Sequence, residues 1–103
     1  MTLRVIIRDE AEEDLLEGAL WYEGLEDGLG KDFVLEVRAA INRTSENPLL
    51  YPSLRSTPDV SRVLTRRFKD RIFYILRSDA IVIFAVLHAA RHDRRWIGRI
   101  EEA

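Results

Sequence analysis

At 103 residues, 47% hydrophobic and 33% charged, the chain has the size and composition of a single globular domain over residues 1–103, which excludes a disordered or fibrous polypeptide. It has no cysteine, so disulfides and thiolate metal sites are excluded, and no apolar run approaches the roughly 18 residues of a membrane span. The net charge of −2 conceals an asymmetry: five basic and twelve acidic residues up to Leu54, eleven basic and six acidic beyond it, which suits one side of the molecule to a polar partner.

The first apolar run is interrupted by Arg4 and Arg8, unlike a secretory signal core, and a soluble cytoplasmic protein is expected. Leu3–Arg8 reads as a strand rich in β-branched residues. Asp9, followed by Glu12, reads as the N-cap of a helix running to Tyr22–Leu25, with Leu15, Ala19 and Tyr22 on its apolar stripe and Leu16 and Leu20 beside them. Asp27–Gly30 is a tight connection. A second helix is expected over Leu29–Glu46, with Phe33, Val37, Ala40, Ile41 and Thr44 on one face, ended by Asn47-Pro48. So short a link makes the two helices an antiparallel hairpin.

Leu49–Pro58 reads as a loop pinned by Tyr51 and Leu54. Strands follow at Ser61–Phe68, Arg71–Leu76 and Ile81–Leu87. The last is apolar at every position and is therefore expected at the centre of the sheet. Asp93–Ile100 reads as a short terminal helix. The order β-α-α-β-β-β gives an α+β fold with the helical hairpin packed on a small, mostly antiparallel twisted sheet.

No phosphate-cradling glycine loop is present, and Gly28-x-Gly30 is turn punctuation. His88 and His92 lack the helical context that their spacing would need for a metal, so no metal or other cofactor is expected; His88 is expected to cap a strand end and His92 to be exposed. Acids on the first helix suit its dipole and solvation, with Asp14 expected to pair with an arginine of the sheet. The best candidate site is cationic: Arg62, Arg66, Arg67, Lys69, Arg71, Arg91, Arg94 and Arg95. Arg71 opens one strand and Arg91 closes the next, so guanidinium groups can converge on a phosphate or carboxylate; the alternative is a solvated rim paired with the acidic helices. Trp96 among arginines reads either as a stacking surface or as an anchor for the tail.

Several of these residues recur together in a known pattern. Ala11, Asp14, Leu15 and Trp21-Tyr22 are followed by Gly30-x-x-Phe33, Asn47-Pro48, Tyr51-Pro52, Arg67-Phe68, Tyr74, Val86-x-His88, Arg91-x-Asp93 and Trp96. Over nearly its whole length the chain resembles the RelE/ParE superfamily of bacterial toxins from type II toxin–antitoxin pairs. The resemblance implies either a RelE-like endoribonuclease that cuts messenger RNA on the ribosome, here with Arg71 and Arg91 at the family's arginine positions, or a ParE-like, non-enzymatic inhibitor of DNA gyrase. Trp96 stands where a nuclease tyrosine would be sought, guanidiniums are poor proton donors near neutrality, and no general base is evident. The ParE-like reading is therefore favoured, with no catalytic residue. Arg66, Arg67, Lys69, Arg71, Arg91, Arg94, Arg95 and Trp96 are expected to meet the target. The resemblance also implies a cognate ParD-like antitoxin in a hetero-oligomer, contacting Leu20, Trp21 and Leu25.

Overall fold

The computed structural model describes residues 3–51, 53–54, 59–92 and 94–99. Strand β1 (Arg4–Ile7) passes through Arg8 alone into helix α1 (Asp9–Leu25). Helix α2 (Leu29–Glu46) and strands β2 (Val60–Leu64), β3 (Arg71–Leu76) and β4 (Ala80–Leu87) follow, and a four-residue helix α3 (Arg94–Ile97) comes last. The expected α+β architecture is present: the sheet order is β1-β4-β3-β2, with β1 parallel to β4 and the other pairs antiparallel.

All eight residues of β4 are buried, as its unbroken apolar sequence requires. One sheet face meets the helices through Ile72, Tyr74, Ile81, Ile83 and Val86, against Tyr22, Phe33, Val37 and Ile41. The other face carries Val60, Phe73, Ile75, Phe84, Ala85 and Leu87, covered by Trp96 and Leu54. Phe73 pairs with Ala85 whereas Tyr74 pairs with Ile83, leaving Phe84 as an extra residue. This bulge reverses the facing of β4, so that Ile83 and Val86 both reach the helices.

The α1–α2 link is capped from within. Gly28 takes φ +89°, a left-handed conformation that glycine adopts without steric cost. The Glu23 carboxylate accepts from the Gly28 and Gly30 N–H groups at 3.0–3.1 Å, occupying donors that a helix start leaves free. Helix α2 buries the expected Phe33, Val37, Ala40, Ile41 and Thr44.

Three expectations are corrected. Arg8, not Asp9, is the N-cap of α1 and makes no side-chain capping bond; Asp9, Glu10 and Glu12 instead meet the helix dipole from within the first turn. The buried stripe of α1 is Ala11, Asp14, Gly18 and Tyr22, while Leu16 and Leu20 are exposed. A Cβ on Gly18 would stand 2.6 Å from the Phe33 ring, so only glycine lets α2 approach so closely; of the expected stripe, Tyr22 is buried and Leu15 and Ala19 pack partly buried against the core, while the flanking Leu16 and Leu20 face out. Finally, the strand expected over Ser61–Phe68 ends at Leu64. Thr65 and Asp70 close a turn through Thr65 N–H to Asp70 C=O at 2.9 Å, and positive φ at Phe68 (25°) and Lys69 (60°) breaks the extended path. The loop expected to end at Pro58 includes positions 52 and 55–58, and the last helix was expected to include positions 93 and 100; these lie outside the described residues.

Candidate functional site at the guanidinium-rich end of the sheet

Leu64 pairs with Arg71 and Arg71 with Leu87, so the β2–β3 turn and the segment after β4 share one end of the sheet. Arg66, Arg67, Lys69, Arg71, Arg91, Arg94 and Arg95 gather there, whereas Arg62 lies within β2 and Arg77 at the far end. A cleft of about 330 Å³ lined by Pro48, Tyr51, Asp59, Ser61 and Arg77 lies at the other end and includes none of the expected site residues.

The local geometry follows from an incomplete ladder. β1 pairs with β4 only as far as Ile83, so the β4 edge beyond it needs other hydrogen-bond partners. Asp14 Oδ2 accepts from Val86 N–H at 3.0 Å, and Arg99 Nη1 donates to the Phe84 carbonyl at 3.1 Å. Arg99 also binds Asp14 bidentately, at 2.5 and 3.0 Å, a charge-assisted pair that raises the Arg99 pKa. Asp14 thus pairs with an arginine as expected, but one from the turn after α3 and not from the sheet.

Nearly one turn further along α1, Glu17 receives two guanidinium groups. Arg91 donates through Nε and Nη2 at 2.7 and 2.9 Å, and Arg95 through Nη1 and Nη2 at 2.7 and 3.3 Å. Hydrogen bonds from Arg91, then from Arg95, hold the Glu17 carboxyl at a pKa of about 2. His88 Nε2 lies 3.3 Å from Glu17 Oε1, and its Nδ1 accepts from Ala90 N–H at 3.3 Å, which assigns the ring proton to Nε2. Burial lowers the His88 pKa, so the ring is held as neutral imidazole against the opposing pull of Glu17. The Trp21 indole stacks on it, with ring centroids 4.9 Å apart.

Arg71 turns inward. Its Nη2 donates to the His88 carbonyl at 2.9 Å and the Arg91 carbonyl at 2.6 Å, fixing the segment between them. Arg67 is similarly engaged with α2: Nη1 meets Asp32 at 3.0 Å, its N–H meets Glu36 at 2.7 Å, and its guanidinium lies 4.7 Å above the Phe68 ring. Beneath the turn, Tyr22 Oη donates to Asp70 Oδ1 at 2.7 Å and Asp70 N–H donates to Thr65 Oγ1 at 2.9 Å. Burial raises the Asp70 pKa; burial first, and then its bond to Asp70, raises that of Tyr22.

The expected site residues therefore fall into three groups. Arg67, Arg71, Arg91 and Arg95 are at the sheet end but hold acids or carbonyls of the fold. Trp96 is buried, stacked on Phe73 at 5.0 Å and edge-on to Phe84 at 6.2 Å, so its indole serves packing rather than an outer surface. Arg66, Lys69 and Arg94 are exposed and make no ion pair among the described residues. Helix α1 presents Leu20, Trp21 and Leu25 to solvent. His92 is exposed, its Nδ1 accepting from Arg94 N–H at 3.2 Å. Glu17, Arg99 and Asp70 are parts of this site that the pattern of cations did not reveal. The available signal was the 11-14-18-22 spacing, a small-residue stripe in which one acid, Asp14, must be buried.

Residues 5–93 match the family model described as the ParE toxin of the type II toxin–antitoxin system parDE. No curated protein sequence matches. Among solved structures, the chain is similar to one of the chromosomal ParDE toxin–antitoxin system from P. aeruginosa, with a TM-score of 0.74 and 12% identity over 84% of this chain and 96% of that one. The isolated RelE toxin of E. coli superposes with a TM-score of 0.65 and 14% identity over 98% and 99% of the two chains. For the toxin–antitoxin complex RelBE2 from Mycobacterium tuberculosis the values are 0.62 and 21%, over 88% and 95%. At these identities the structural likeness speaks for the fold, and the family match covers most of the chain.

Proposed function

The chain belongs to the ParE toxin family of type II toxin–antitoxin systems, and from that premise we propose that it acts in the cytoplasm as a non-enzymatic inhibitor of DNA gyrase, neutralised by a cognate ParD-like antitoxin. The observation that carries this reading is the engagement of Arg71 and Arg91. A RelE-like nuclease would need these groups facing an RNA phosphate. Here Arg71 holds two backbone carbonyls and Arg91 holds Glu17. His88, a candidate proton carrier by type, is buried beneath Trp21 and hydrogen-bonded at both ring nitrogens. Contact with the target falls to Arg66, Lys69 and Arg94, exposed and without an ion pair among the described residues, which suit an acidic macromolecular surface.

For the antitoxin, α1 offers two apolar ridges at helical spacing, Leu16 with Leu20 and Trp21 with Leu25, all outward-facing. An amphipathic segment that orders on binding would cover them. No helix among the described residues is long and apolar enough to cross a membrane.

The deciding experiment is a supercoiling assay with purified toxin and gyrase, beside a translating extract that reports mRNA cleavage. Inhibited supercoiling that is relieved by the antitoxin, with intact mRNA, is the expected result. Untouched supercoiling at excess toxin, in a preparation that still arrests growth, would refute the gyrase target. Arg66→Glu should weaken target binding in a salt-dependent way, whereas Leu20→Ala should weaken antitoxin binding with little response to salt.

A further inference from the structure

Four hydrogen bonds from Arg91 and Arg95 close on the one carboxylate of Glu17. Guanidinium groups take a phosphodiester in the same manner, each planar fork giving two N–H donors to non-bridging oxygens. The site also lies at the surface: the Arg91, Arg95 and Glu17 side chains are 46%, 35% and 31% exposed. We propose that Glu17 is an internal anion occupying an otherwise competent phosphate fork, and that this contact keeps the basic end of the sheet from gripping a nucleic-acid backbone.

The fork is built independently of its occupant. Arg91 N–H donates to the His88 carbonyl at 2.9 Å, and the Arg91 carbonyl accepts from Arg71 at 2.6 Å, so the Arg91 backbone stays fixed without Glu17. Arg95 is carried on α3, which Trp96 anchors between Phe73 and Phe84. Asp14 cannot take over the role of Glu17. It is buried and already binds Arg99 and Val86 N–H, and Arg95 comes no nearer to it than 3.7 Å. Three guanidiniums, those of Arg91, Arg95 and Arg99, oppose the two carboxylates of Asp14 and Glu17, with His88 neutral. Neutralising Glu17 therefore leaves these three guanidiniums facing one carboxylate instead of two and frees both forks, at the same end of the sheet as Arg66, Lys69 and Arg94. The inference goes beyond the gyrase reading and does not depend on it, since it concerns what this surface is prevented from binding.

The test uses the full chain and a fluorescein-labelled single-stranded oligouridine, followed by anisotropy across a salt series. Glu17→Gln is expected to tighten binding about tenfold at low salt and to steepen the dependence of log K on log salt by about 1.4, the value for two further phosphate contacts on a single strand. Glu12→Gln removes the same charge from an exposed position of the same helix and should change affinity less than about twofold. In the unaltered protein, the Arg91 and Arg95 Nε–Hε resonances should stay in place when inorganic phosphate is added, and in Glu17→Gln they should move. The proposal is overturned by a folded Glu17→Gln with unchanged RNA affinity, by an equal gain in Glu12→Gln, or by phosphate-induced shifts of both arginines in the unaltered protein. That last titration decides the matter even if the variant does not fold.

Discussion

Replacing Asp14 by alanine should destabilise the fold by about 4 kcal/mol. The value is built from two losses. Val86 N–H, in the interior of the central strand, loses its acceptor; an orphaned buried donor costs about 1–3 kcal/mol. Arg99 loses a bidentate partner, and breaking a buried pair from one side costs about 3–5 kcal/mol. The second figure is reduced because the Arg99 side chain is 17% exposed and keeps its bond to the Phe84 carbonyl. Asp14→Asn retains an oxygen for Val86 and should lose about half as much. Urea unfolding followed by circular dichroism measures each variant, with an unchanged m-value as the sign that only the native state is affected. Arg99→Ala and the double variant complete a cycle in which the coupling should exceed about 1.5 kcal/mol. A loss below about 1 kcal/mol for Asp14→Ala, or additive single losses, would refute the claim that this carboxylate completes the β4 edge.

Gly18→Ala and Gly24→Ala should differ in sign. The first drives a methyl into the Phe33 ring and should cost about 1 kcal/mol net of helix propensity; the second meets nothing within 4 Å and should gain up to about 1 kcal/mol by the same melting assay. Trp96→Ala removes the cover from Phe73 and Phe84 and should cost about 3 kcal/mol, whereas Trp96→Phe should retain most of that, as read by urea midpoints. Stability should fall on acidification in two stages. His88 is held neutral in the fold, so the unfolded chain binds its proton first as pH drops below 6.5; Glu17, with its pKa lowered from 4.5 to about 2, has its full stabilising effect above about pH 4.5 and loses it progressively towards pH 2. Urea midpoints taken from pH 7 to pH 3 should flatten below pH 4.5 in Glu17→Gln, and an unchanged acid limb in that variant would count against the assignment. Asp70 has the opposite sign: its raised pKa means that ionisation in the fold is unfavourable, so Asp70→Asn should leave stability at pH 7 unchanged or raised.

The parts of the molecule that sequence predicts well are those governed by local pattern. The apolar run of β4 implies burial on both faces, the Phe33–Val37–Ala40–Ile41–Thr44 face of α2 is inside, and the short link makes a helical hairpin. The expected Leu15–Ala19–Tyr22 stripe of α1 packs against the core but marks only one margin of its inner face, because what centres that face on Asp14 and Gly18 is the ring of Phe33 and an N–H on β4, neither of which is local to α1. The cationic cluster is similarly legible as a gathering of arginines at one end of a sheet, but not as a set of contacts. Arg91, Arg95 and Arg99 meet α1 acids across sequence separations of 74, 78 and 85 residues, and no periodicity encodes such pairings. The β2 strand ends early for a related reason: Thr65 and Asp70 close a turn whose buried carboxylate is satisfied by Tyr22, 48 residues away.

Because Arg99 supplies both the counter-charge for Asp14 and a donor for the Phe84 carbonyl, the central strand is completed by a side chain from outside the sheet. Drawing the segment after α3 away from the sheet would therefore bare the β4 backbone and strand the Asp14 charge together, so the tail acts as a latch on the middle of the fold.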